Sequence, residues 1–177
     1  MKKICMLIVS LLFCALPCSA QEGGGQSGWQ KFMTERLVFD IQASLSARSV
    51  TNIASSVDIG TRLNRRLYAF VSYGKYWMLY SDDAGQRHCS TDLMGGGMGF
   101  RCFEMSSVLK SVDVRLKVEQ SVGGRSMTCT VYDVGVHGRL GGSLLVPTVG
   151  LGFRHAHLHT AGLNHQNYVY LSIGIGL

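Results

Sequence analysis

The chain has 177 residues, with 17 Lys and Arg against 11 Asp and Glu, for a formal net charge of +6. That length is one domain's worth, and the basic residues are scattered rather than clustered, which argues against a nucleic-acid partner. Twenty-two glycines against two prolines suit strands with tight turns and exclude a Pro-rich linker.

In chain order, Lys2 and Lys3 precede an apolar run from Ile4 to Leu16, interrupted only by Ser10. Cys18-Ser19-Ala20 then offers small residues before Gln21. This is the pattern of a cleaved secretory signal over residues 1–20; the run is shorter than the roughly 20 residues a membrane helix needs. The residues ahead of Cys14 and Cys18 (Leu12-Phe13 and Leu16-Pro17) do not fit a lipoprotein signal. Removal of Lys2 and Lys3 lowers the net charge of the remaining chain. Residues 21–35 read as a short, glycine-rich lead-in, disordered over Gln21 to Ser27.

From residue 36 onward the hydrophobic period is 2. Leu37 to Arg48 puts Leu37, Phe39, Ile41, Ala43 and Leu45 on one face and Asp40, Gln42, Ser44, Ser46 and Arg48 on the other. On a helix these two sets would mix, so the segment is a strand. Ile53 to Leu63 sets Val57 and Ile59 against Asp58, Gly60 and Arg62. Leu67 to Tyr80 is apolar on both faces, which leaves its register open. Leu93 to Glu104 sets Met94, Met98, Phe100 and Cys102 against Gly95, Gly97, Gly99 and Arg101. Ser111 to Val122 sets Val112, Val114, Leu116 and Val118 against Asp113, Arg115, Lys117 and Glu119. Met127 to Leu140 sets Thr130, Tyr132, Val134 and Val136 against Cys129, Asp133, His137 and Arg139. Leu145 to His155 sets Val149, Leu151 and Phe153 against Gly150, Gly152 and Arg154, with Pro147 marking a strand start or bulge. Asn167 to Leu177 sets Val169, Leu171, Ile173, Ile175 and Leu177 against Tyr168, Tyr170, Ser172, Gly174 and Gly176.

Eight such strands, parted by turns at Asn64-Arg65, Gly123-Gly124 and Gly141-Gly142 and with no helical pattern between them, predict an all-β fold. The expected architecture is a single antiparallel up-and-down transmembrane barrel over residues 36–177. Ser81 to Asp92 and His155 to Gln166 are expected as the long extracellular loops. The apolar face is assigned to lipid for three reasons. Glycines concentrate on the polar face, where a narrow interior brings backbones together. Charges of both signs share that face and can pair inside. An Arg or Lys facing mid-bilayer would cost about 2–4 kcal/mol. The predicted interior network is Asp40, Arg48, Asp58, Arg62, Asp113, Arg115, Lys117, Glu119, Asp133, Arg139 and Arg154.

On the alternating strands and the run Val169, Leu171, Ile173, Ile175 and Leu177, the chain resembles the small eight-stranded outer-membrane barrel proteins of diderm bacteria. The resemblance implies residence in the outer membrane after export, contact with its lipid, and recognition of the last strand by the barrel-assembly machinery. Members commonly end in an aromatic residue, whereas this chain ends in Leu177. Their roles range over structural and adhesive proteins, resistance factors and narrow pores, and no one of them carries over.

His155, His157 and His159 alternate on one side of a strand, with His165 close by in sequence, and are the weak candidates for a metal site. No carboxylate or cysteine stands beside them to complete one, so no metal or other cofactor is expected, and nickel or zinc should leave thermal stability unchanged. No context resembles a nucleophile elbow or triad, and the protein is read as non-enzymatic. Tyr76, Trp77 and Tyr80 are expected in an interfacial girdle. Cys89, Cys102 and Cys129 are an odd set that one chain cannot fully pair, and Cys89 falls in an expected loop. The leading reading is a structural or surface-interaction barrel of unknown surface ligand. The alternatives are a secreted soluble barrel or sandwich binding a small apolar ligand, a narrow pore for small molecules, and a lipid-modifying barrel enzyme.

Overall fold

A computed structural model of the chain describes residues 36–47, 51–82, 85–105, 108–123, 126–141 and 146–177. The expected signal, the lead-in up to residue 35 and Arg48 lie outside the described residues. Eight strands follow one another: β1 Leu37–Ala47, β2 Thr51–Arg62, β3 Leu67–Asp82, β4 Gly85–Glu104, β5 Leu109–Val122, β6 Cys129–Leu140, β7 Val146–Leu158 and β8 Gln166–Gly176. Each pairs antiparallel with the next, and β8 returns to β1, so the sheet is a closed barrel without an edge. The short turns recruit the expected chemistry. Asn64 Oδ1 accepts the amides of Arg66 and Leu67 at 2.8 and 2.7 Å. Gly123 and Gly141 hold φ of 93° and 90°, a region open to glycine.

The register fixes the tilt. Moving across the ladder from Gly176, the partners are Asp40, Asp58, Ser72, Gly95, Glu119, Val131, Ala156 and finally Gln166. One circuit therefore returns to β8 ten residues from its start, a shear of ten. With the usual strand spacings this tilts the strands by roughly 40°. The joints differ in length. β3 and β4 pair over sixteen residues, whereas β1 and β8 pair over six, Asp40–Leu45 against Leu171–Gly176.

Two features depart from the sequence reading. The expected loop 81–92 is mostly strand: β3 runs to Asp82 and β4 begins at Gly85, with Asp82 opposite Gly85. Its alternation is polar on one side (His88, Ser90, Asp92) and small on the other (Cys89, Thr91), so it lacks the aliphatic face that marks a strand in sequence. The expected loop 155–166 also contracts, because β7 continues to Leu158 and β8 opens at Gln166. In β4 the ladder slips between Arg101 and Phe103. Cys102 is the extra residue of this bulge, and beyond it Phe103 takes the outward position, 63% exposed.

Candidate functional site

The barrel is polar within and aliphatic without. Of the predicted network, Asp40, Asp58, Asp113, Arg115, Lys117, Glu119, Asp133, Arg139 and Arg154 are buried in the interior, and Arg62 is half-buried. Closure around ten residues of shear is what brings distant strands face to face across the bore. Arg115 of β5 places Nη2 2.5 Å from Asp40 Oδ2 of β1 and Nη1 3.8 Å from Asp58 Oδ2 of β2. Its Nε donates to the Tyr68 hydroxyl at 2.8 Å, and that hydroxyl donates onward to Asp113 Oδ2 at 3.1 Å. Asp113 is also approached by Arg101 and Arg139, each at 3.4 Å. The Ser72 hydroxyl lies 2.6 Å from Asp58 Oδ1 and 2.7 Å from Glu119 Oε1, and Lys117 Nζ stands 3.3 Å from that same Glu119 oxygen. Arg139, Asp113, Tyr68, Arg115, Asp58, Ser72, Glu119 and Lys117 thus form one chain of contacts. A separate group joins Arg154 to Asp133 at 2.6 Å, with Tyr170 donating to Asp133 at 2.7 Å and its ring lying under the guanidinium. Buried charges are tolerable only when paired and hydrogen-bonded in this way.

Sequence reasoning did not include Tyr68, Ser72, Tyr170 or Arg101 in the network. Only the register shows that these groups reach the same carboxylates. The expected polar and charged network also does not fill the whole interior. Toward the end of the barrel that carries the β3–β4, β5–β6 and β7–β8 connections, the interior is apolar: Tyr76, Met78, Leu93, Met127, Val131 and Tyr168 form a packed plug. Tyr76 points inward and donates to Asn52 Oδ1 at 2.7 Å, so it is no part of an outer girdle; on β3 Tyr73 and Trp77 are the aromatics of the outward set. Cys89, expected in an exposed loop, is buried in this plug, with its sulfur 3.6 Å from Met127 Sδ. All three described cysteines are free thiols.

Packing inside is close enough to select glycine. A Cβ on Gly95 would stand 2.0 Å from Val118 O, and one on Gly99 2.0 Å from the Tyr68 ring. Outside, Leu116, Leu171 and Ile173 are 59, 66 and 69% exposed. Above this aliphatic surface at the same end as the plug stand His155, His157, His159 and His165, whose rings neighbour one another. Among the described residues no group of three or more His, Cys, Asp or Glu is placed to hold a metal ion.

The class these features define is the closed, eight-stranded, all-antiparallel barrel with inverted polarity. No family model matches the chain, and no curated protein does. Among solved structures, the N-terminal β-barrel domain of OprF from Pseudomonas aeruginosa is similar, at 14% identity and a TM-score of 0.48, over 81% of this chain and 98% of that one.

Proposed function

We propose that the chain is a non-enzymatic, integral outer-membrane barrel with a structural or surface-interaction role. The observation that carries this reading is the inversion of polarity. Asp40, Asp113 and Glu119 are sealed inside while Leu171 and Ile173 lie open on the outer wall. In water such a continuous aliphatic surface is an aggregation liability, whereas in lipid it is the required surface. A soluble calyx would need the opposite arrangement, with apolar residues lining the bore at all heights. The interior network and the apolar plug fill the narrow bore that eight strands leave, which favours a wall over a pore. Export through cleavage after Ala20, and recognition of β8 by the barrel-assembly machinery, belong to the same reading.

The test is gel mobility of the carbonate-resistant membrane fraction in sodium dodecyl sulfate, unboiled against boiled. A compact band that converts on heating is expected. A protein released by carbonate, with one mobility in both samples, would overturn the reading and favour a soluble barrel.

A further inference from the structure

Four histidines stand together on the outer wall, and the interior network does not use them. His155 and His157 occupy alternate outward positions of β7, directly beyond Leu151 and Phe153, and His159 follows just past the end of the strand. His165 returns from the β7–β8 connection to stack on His157, with centroids 4.0 Å apart and planes at 15°. His159 meets His157 edge-on at 4.8 Å, and His155 lies 6.2 Å from His157 and 6.4 Å from His165. A metal is not the occupant this arrangement suits. The in-plane lone pairs of two stacked rings run side by side and do not converge on one ion, and His165 Nδ1 is already taken by the Leu158 amide at 3.1 Å.

We propose that this cluster docks the phosphate of an anionic lipid headgroup, and does so when its imidazoles take up protons. The inference rests on the outer-membrane reading above. Position is the first argument. Val134, Phe153 and Val169 are paired neighbours on the outer wall, so the rings one and two pleats beyond them stand at headgroup depth. Charge is the second. Outward beside the cluster, Thr128 stands just before β6, β6 presents Thr130 and Tyr132, β8 presents Asn167, and the connection carries Thr160 and Asn164. None of these is ionised, and Asp133 and Arg154 belong to the opposite face of the sheet. Protonated imidazoles here would have no carboxylate beside them among the described residues, so their mutual repulsion calls for an external anion. Donor geometry is the third. His155 Nδ1 is engaged by Asn167 at 2.7 Å and His159 Nε2 by Thr130 at 3.0 Å. These contacts fix the outer two rings; His165, whose Nδ1 accepts the Leu158 amide, presents its Nε2–H, and protonation gives the stacked His157 an N–H donor on each nitrogen.

The experiment uses the full chain folded in uncharged micelles and reads the temperature at which the compact unboiled band converts. Dioctanoyl phosphatidylglycerol, dioctanoyl phosphatidylcholine and inorganic phosphate are added separately at about pH 5 and about pH 8, on either side of the imidazole value. The anionic lipid should raise the conversion temperature by several degrees at the acid pH only, and phosphatidylcholine should not. The double variant His157→Gln/His165→Gln should lose that rise while converting as before at the higher pH. A rise equal at both pH values, or retained in the double variant, overturns the inference. An equal rise from inorganic phosphate overturns the headgroup as the source. The absence of any compact band fails the membrane reading and this inference with it, whereas a compact band indifferent to lipid fails this inference alone.

Discussion

Arg115 and Asp40 meet across the bore of the barrel, Nη2 to Oδ2 at 2.5 Å, from strands on opposite sides of the closed sheet. The pair is buried, with side-chain exposures of 4 and 0%, and the same guanidinium serves Asp58 and Tyr68. Removing one partner of a buried pair costs about 3–5 kcal/mol, because the other is left charged and uncompensated. Arg115→Met is therefore expected to lower the temperature of band conversion sharply. Arg115→Met/Asp40→Asn should recover part of that loss, since contacting residues are not additive. A double variant as unstable as the sum of the singles would place these groups outside one network.

The outer wall makes a second prediction that depends on depth. Leu116 lies in the aliphatic run of β5, while Gln120 lies four residues on, facing the same way. Leu116→Arg should cost about 2–4 kcal/mol in a bilayer, and Gln120→Arg about 0–1 kcal/mol. Equilibrium unfolding by urea in lipid vesicles measures both. Equal costs would mean that the wall does not face a bilayer as assigned.

Thiol chemistry separates the interior from the surface. Cys89 and Cys129 are buried in the plug, whereas Cys102 sits half-exposed at the β4 bulge. A maleimide applied to the folded barrel should label Cys102 and spare the other two until the sample is heated. Mass mapping of the labelled positions checks this, and rapid labelling of Cys89 in the cold would show that the plug opens.

A filled bore should not conduct. With Tyr76, Met127 and Tyr168 packed at one end and the charged chain of contacts below them, planar-bilayer recordings are expected to show no steady conductance. Long-lived unitary steps would require the plug to leave the bore.

The sequence was most readable where one face was aliphatic. In β5 and β8 the alternation of Val114, Leu116 and Val118, or of Val169, Leu171 and Ile173, assigned inside and outside residue by residue, and the observed burial follows it. It was least readable in the first half of β4, where neither His88, Ser90 and Asp92 nor Cys89 and Thr91 form an apolar row. A strand beyond the aliphatic band has no reason to carry one. The plug was hidden for a related reason: β3 is apolar on both faces, so the side to which Tyr76 and Met78 belong follows only from pairing. The Cys102 bulge leaves no compositional trace. The carboxylates and guanidiniums were visible as a set, but their partners were not, because partner choice across the bore is set by the shear.

The six-residue joint between β1 and β8 has a kinetic consequence. Every other joint links neighbours in sequence and can form as soon as both strands exist, whereas Asp40 must wait for Gly176. The closure that bears the largest loop entropy is thus made by the shortest ladder. That seam is where the cylinder comes together last and where it should part first. The transient species it creates is a curled sheet with two raw edges, β1 and β8, whose free amides and carbonyls can accept a strand from another molecule. Until the seam shuts, the barrel is a template, and afterwards it is inert.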